Sequence, residues 1–95
     1  MYIYMYDITP HTKTQAKRLG VQVKPSTRKG KKIDVFKNDI KVASVGALGM
    51  GDFGTYLRTE GKAFANKRRE LYKARHAKDS IKKGTPGYYA NALLW

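Results

Sequence analysis

Ninety-five residues give room for one domain, residues 1–95, and not for two. Twenty Lys and Arg against seven Asp and Glu leave a formal charge of +13, and seven carboxylates are few from which to build a catalytic centre. The absence of cysteine excludes a disulfide framework, a thiolate zinc site and a thiol nucleophile. A chain this short buries only roughly 60–65% of its unfolded surface, and a small body so strongly charged repels itself unless a polyanion relieves it. Aromatic residues make up 12% of the chain, too many for a disordered polymer. No window approaches the ~20 apolar residues of a membrane span. The first eight residues lack the charged and apolar regions of a secretory leader, so the expectation is a protein that is not secreted.

In chain order, residues 1–8 alternate Tyr2, Tyr4 and Tyr6 with Met1, Ile3 and Met5, the period of a strand. A strand covered on both faces is favoured over a base-stacking platform, because no Lys or Arg lies in the segment. Residues 11–20 suit one or two helical turns capped by Thr12 or Thr14 and stopped at Gly20. Val21 to Val23 form a short extended piece, and Pro25 keeps Lys24 extended. Residues 24–32, KPSTRKGKK, have loop chemistry with five basic side chains, suited to following phosphates or to serving as a nuclear localisation signal.

Residues 31–46 read as a β-hairpin closed on Asn38-Asp39. Lys37 then pairs with Ile40, Phe36 with Lys41, Val35 with Val42 and Ile33 with Ser44, so Ile33, Val35, Ile40 and Val42 share an apolar face. Residues 46–54, GALGMGDFG, match neither a P-loop nor a dinucleotide fingerprint and read as a flexible connector. From about 60 to 83 the composition is that of one long basic helix, with Thr59 as N-cap and Phe64, Leu71 and Ile81 as its apolar stripe. Gly84 ends it and Pro86 prevents its resumption. The tail, GTPGYYANALLW, is too apolar to be solvated. Tyr88, Tyr89, Leu93, Leu94 and Trp95 either fold back to close the core or dock on another chain.

The basic residues are confined to two segments. Residues 13–41 hold ten and residues 58–83 hold the other ten, while both termini are free of them. Two cationic elements lying side by side would form the electrostatic footprint of a nucleic-acid binder. The candidate phosphate contacts are Arg28, Lys29, Lys31 and Lys32 in the loop and hairpin, and Lys67, Arg68, Arg69, Lys73, Arg75 and Lys78 in the helix. Charges surrounding more than half the helix suit backbone contact without base readout. His11 and His76 are the only imidazoles, and no hydrolase, metalloprotease or paired-carboxylate motif appears, so no enzyme, cofactor or metal is expected. The opening YIYMY is similar to the first strand of GIY-YIG endonucleases, but that family's second tripeptide is missing.

From Lys24 onward the chain resembles a family of short basic proteins of large double-stranded DNA viruses and some large phages. The resemblance rests on KPSTRKGKKIDVF, on a turn followed by V-x-S-V-G, on RRELYKARH from Arg68 to His76, and on the closing G-T-P-G-Y-Y-x-x-x-L-L-W from Gly84 to Trp95. Where members carry an acidic residue in a K-D-K-x-R run, this chain reads AFANKRR. The resemblance implies a protein of the virion or of late infection, located there or in the host nucleus or cytoplasm. Residues 24–95 form the family-like basic core, and residues 1–23 an N-terminal strand and variable segment.

Together these features predict an α+β domain. A small antiparallel sheet of two or three strands, containing the 31–46 hairpin, packs on one long basic helix, and the apolar tail closes the core. The expected function is non-catalytic, largely sequence-independent binding of a nucleic-acid backbone, DNA more readily than RNA, in genome packaging or condensation. The alternatives are a minor capsid protein docking through Tyr88, Leu93, Leu94 and Trp95, and a ribosomal or other RNA-binding protein.

Overall fold

Asn38 and Asp39 both adopt positive φ, 53° and 64°, the backbone a two-residue hairpin turn requires. That turn joins β2 (Lys31–Lys37) to β3 (Ile40–Ala47), and β1 (Gln22–Pro25) pairs with the other edge of β2, giving an antiparallel sheet in the order β1-β2-β3. The computed structural model describes residues 6–95, the side chains of Asp79 and Ser80 excepted. Tyr2 and Tyr4 of the expected N-terminal strand lie outside the described residues, and residues 6–9 are not in a strand.

The hairpin begins in the expected register, Lys37 with Ile40 and Phe36 with Lys41. A bulge then leaves Val42 without a partner, and Val35 pairs with Ala43 and Ile33 with Val45. The apolar face is therefore Ile33, Val35, Ala43 and Val45, all buried, while Ile40 and Val42 are exposed. One inserted residue exchanges the faces of β3, because side chains alternate.

Five helices surround the sheet: α1 (Pro10–Leu19), α2 (Phe53–Thr59), α3 (Lys62–Arg75), α4 (Ala77–Ser80) and α5 (Pro86–Leu94). The expected long helix is thus broken at Gly61 and at His76, whose φ and ψ of −110° and 21° leave the helical region. Nor does its stripe hold it in place. Phe64, Leu71 and Ile81 are 44%, 43% and 79% exposed. The inward face of α3 lies one residue further on, with Ala65 fully buried and Tyr72 packed against the core.

The tail does fold back, as a helix. Thr85 caps it by accepting from the Tyr88 N–H, and Pro86 occupies the first turn, where its missing N–H costs nothing. Thr9-Pro10 opens α1 by the same device. Near the far end of α5, the Thr12 hydroxyl and the Gln15 amide of α1 donate to the carbonyls of Leu93 and Ala92, at 2.8 and 3.2 Å. Leu93, Leu94 and Trp95 are buried in the chain's own core, which removes them as the docking surface expected for a capsid partner; Tyr88, half-buried, packs against that core. The Trp95 ring stacks on Tyr72 with centroids 4.5 Å apart and planes 10° from parallel.

That stack fastens α3 to the tail, so its loss is felt throughout the core. Trp95→Ala is expected to lower stability by about 3–5 kcal/mol, the cost of truncating a buried aromatic ring. Chemical denaturation followed by circular dichroism measures it.

Candidate nucleic-acid interface

The loop and hairpin cations are positioned by two buried carboxylates. Asp34 on β2 accepts from the hydroxyls of Ser26 and Ser44, both at 2.6 Å, and from the Thr27 N–H at 3.3 Å. The start of the basic 26–30 loop is thereby pinned to the sheet. Burial alone would push the Asp34 carboxyl up, but these hydrogen bonds outweigh it and hold it below the ordinary carboxylate range. Lys41 lies 3.7 Å away as a half-exposed counter-charge.

Asp52 is the second. It is 0% exposed and caps α2 by accepting from the Thr55 N–H at 2.9 Å. Its other oxygen accepts from Lys32 Nζ at 2.8 Å and from the Tyr6 hydroxyl at 2.6 Å. Burial again raises the carboxyl, and the bonds from Lys32, Tyr6 and Thr55 overcome it, so Asp52 titrates below its ordinary range. Burial and the adjoining carboxylate push the Tyr6 phenol above its usual value, and it remains a donor. Lys32, at 3% exposure, is therefore a structural cation. Its expected role as a phosphate contact is corrected, because reaching a ligand would strand the Asp52 charge in the interior.

The remaining cations divide by helix geometry. Arg68 and Arg75 are seven residues apart on one face of α3. They border a crevice of about 320 Å³ between the helix and the hairpin end, with Lys31 and Lys32 on the hairpin side. Its other walls are Gly46, Ala47, Met50, Gly51, Tyr56, Tyr72, His76, Ala90, Leu94 and Trp95, with no Asp or Glu among the described side chains. An adjoining cavity is bordered by His76, Lys78, Lys82, Thr85 and Gly87, and His76 is common to both. Lys31, Arg68, Arg75, Lys78 and Lys82 thus border one track. Loop-hairpin and helix cations do meet, through Lys31 with Arg68 and Arg75.

Other expected contacts lie elsewhere. Arg69 sits over the Phe53 ring, 4.1 Å from its centroid, and donates to Asn66 Oδ1 at 2.9 Å. Lys73 donates to Asn91 Oδ1 at 3.1 Å, and burial together with Arg69 lowers its proton affinity. Both belong to the α1 side of α3, where burial, Arg69 and Lys73 also keep the His11 imidazole below its usual range. Arg28, Lys29 and Lys67 are exposed and border neither cavity.

The aromatic wall was not anticipated from sequence. His76, Tyr72 and Trp95 form one column, the first two rings 4.3 Å apart at 26°. Tyr56 lies beside it, 6.1 Å from Trp95, with the Arg68 guanidinium 5.7 Å from its ring centroid. The signal was the i, i+4 spacing of Tyr72 and His76, seven residues on from Ala65. The glycine segment is also more than a connector. A Cβ on Gly51 would run into the Tyr56 ring, and one on Gly46 would meet Leu94 and Lys32. Both positions form walls of the crevice and need a bare backbone.

Comparison with protein-family models, curated proteins and solved structures finds no match to this chain. Among the described residues there is no helix long and apolar enough to cross a membrane, and no group of three or more potential metal ligands.

Neighbouring lysines on β2 should therefore respond differently to the same change. Lys32→Met leaves Asp52 buried without its cation and is expected to cost about 3–5 kcal/mol, whereas Lys31→Met changes stability by no more than about 0.5 kcal/mol. Because Asp52 titrates lower folded than unfolded, its contribution is complete above the unfolded value near 4 and is lost as pH falls through the folded value. Thermal melts of wild type and both variants, at neutral pH and between about pH 4 and 2, measure both effects.

Proposed function

We propose that this chain is a non-catalytic binder of nucleic-acid backbone and that the track from Lys31 through Arg68 and Arg75 to Lys78 and Lys82 follows the phosphates. The observation that carries this reading is the convergence of five cations from three parts of the chain around two adjoining cavities that, among the described side chains, no Asp or Glu borders. Three ion pairs occur among the described residues: Lys32–Asp52, Lys41–Asp34 and Arg58–Asp7. None of them involves Lys31, Arg68, Arg75, Lys78 or Lys82. A cationic groove raises the local concentration of a polyanion and draws it in from solution. Arginine can hold a phosphate through two parallel hydrogen bonds, and lysine acts as a point charge.

The resemblance of residues 24–95 to small basic proteins of large DNA viruses favours genome packaging or condensation as the setting for this binding. Such a task needs affinity for backbone more than for sequence. A capsid-cementing role has less support, since the aliphatic and indole groups of the tail are enclosed by the chain itself.

Filter binding of a short DNA duplex and of a single strand at low and moderate salt tests the reading. Binding is expected to weaken steeply with salt, the slope reflecting the phosphates neutralised. Arg68→Glu with Arg75→Glu should lower affinity at least about tenfold for every sequence and reduce the slope by about 2. Lys13→Glu with Lys17→Glu on α1 makes the same charge change away from the track and should have a much smaller effect. Equal losses in both double variants would show that net charge, and not this track, is responsible.

A further inference from the structure

A backbone binder needs cations on a surface; it does not need an aromatic wall behind them. The crevice has both. Lys31, Arg68 and Arg75 border it, and so do Tyr56, Tyr72 and Trp95 with Ala47, Ala90 and Leu94; on α3, Arg68, Tyr72 and Arg75 are four and three residues apart and share one face. At about 320 Å³ it is at the small end of ligand pockets, far too narrow for a double helix and of a size for one nucleotide. A nucleotide is also the ligand whose two halves match the two kinds of group in the lining: a phosphate that seeks guanidinium and ammonium groups, and a base whose π-face is compatible with an aromatic ring in any sequence.

The wall is preformed. The parallel stack of Trp95 on Tyr72 is part of the core, and His76 extends the column toward the adjoining cavity. Arg68 lies over the Tyr56 ring, which holds its guanidinium beside an aromatic ring of the same crevice. Met50, two-thirds exposed, adds a polarizable side chain at the crevice wall.

We infer that the crevice admits one unpaired nucleotide of a bound strand, its phosphate held by Lys31, Arg68 and Arg75 and its base laid against Tyr56 and Met50, beside the edge of the Tyr72–Trp95 stack. The inference rests on the reading of the track as a nucleic-acid surface and adds that the crevice recognises an unstacked base as well as charge. Neighbouring phosphates pass along Lys78 and Lys82.

Two probes of equal length and charge separate the inference from the reading beneath it: single-stranded oligo(dT) and an abasic oligomer that keeps the sugar-phosphate chain. Affinity is read by anisotropy at about 50 mM salt, and Trp95, the only tryptophan, reports from the crevice wall through its emission. Oligo(dT) is expected to bind about tenfold more tightly than the abasic strand, the equivalent of roughly 1.4 kcal/mol within the range of one base–aromatic stack. It should also quench Trp95 saturably, while the abasic strand should not. Equal affinities with unchanged emission would overturn the base contact and leave backbone binding standing. Failure of both strands to bind would remove backbone binding as well.

Discussion

A single carboxylate, Asp52, holds three parts of this chain in register. It fixes Lys32 from the central strand, Tyr6 from the segment before α1, and the Thr55 N–H at the start of α2. The group is buried and ionised, so each partner is needed. An unpaired charge in the interior costs far more than the net gain of an ordinary surface pair. The consequence reaches the surface. With Lys32 turned inward and β2 and α2 fixed relative to each other, Lys31 is left at the crevice, and Gly51 lies close enough to α2 to receive the Tyr56 ring.

The use of acidic residues explains why the outside remains cationic. Of seven carboxylates, Asp34 and Asp52 are enclosed, one organising the basic loop and the other the junction of sheet and helices. Asp7 pairs with Arg58, away from the track. The fold thus uses two of its seven acidic side chains as internal fastening, and among the described side chains no acid joins Lys31, Arg68, Arg75, Lys78 and Lys82 in the cavity walls. A chain with more acids on α3 could keep the same fold and lose the groove's field.

Much of the fold was legible in the residues. The Asn38-Asp39 turn, the stop at Gly20 and the return of an apolar tail all follow from local chemistry. The bulge at Val42 was not legible, because the apolar pattern of β3 admits either register and the choice depends on what covers the sheet. The face of α3 was misread for a related reason. Phe64 with Leu71 and Ala65 with Tyr72 have the same seven-residue spacing, and hydropathy favours the first pair. The stacking of Tyr72 on Trp95, twenty-three residues away in sequence, decides for the second. Pro86 signals an ending when read from the left and a beginning when read with Thr85 as its cap. The site was legible as charge but not as geometry. Arg68 and Arg69 look equivalent in sequence, yet a rotation of about 100° sends one to the crevice and the other over Phe53. Lys31 and Lys32 are divided by the alternation of a strand, and no count of basic residues distinguishes them.

The central claim is that one particular line of cations, and not the charge of the whole molecule, receives the polyanion. Lysine acylation mapped by mass spectrometry, with and without a saturating oligonucleotide, tests it most directly. The account predicts protection of Lys31, Lys78 and Lys82, unchanged labelling of Lys13 and Lys17 on α1, and little labelling of the enclosed Lys32 in either condition. Uniform protection of all exposed lysines, or protection centred on α1 with Lys31 unaffected, would contradict it.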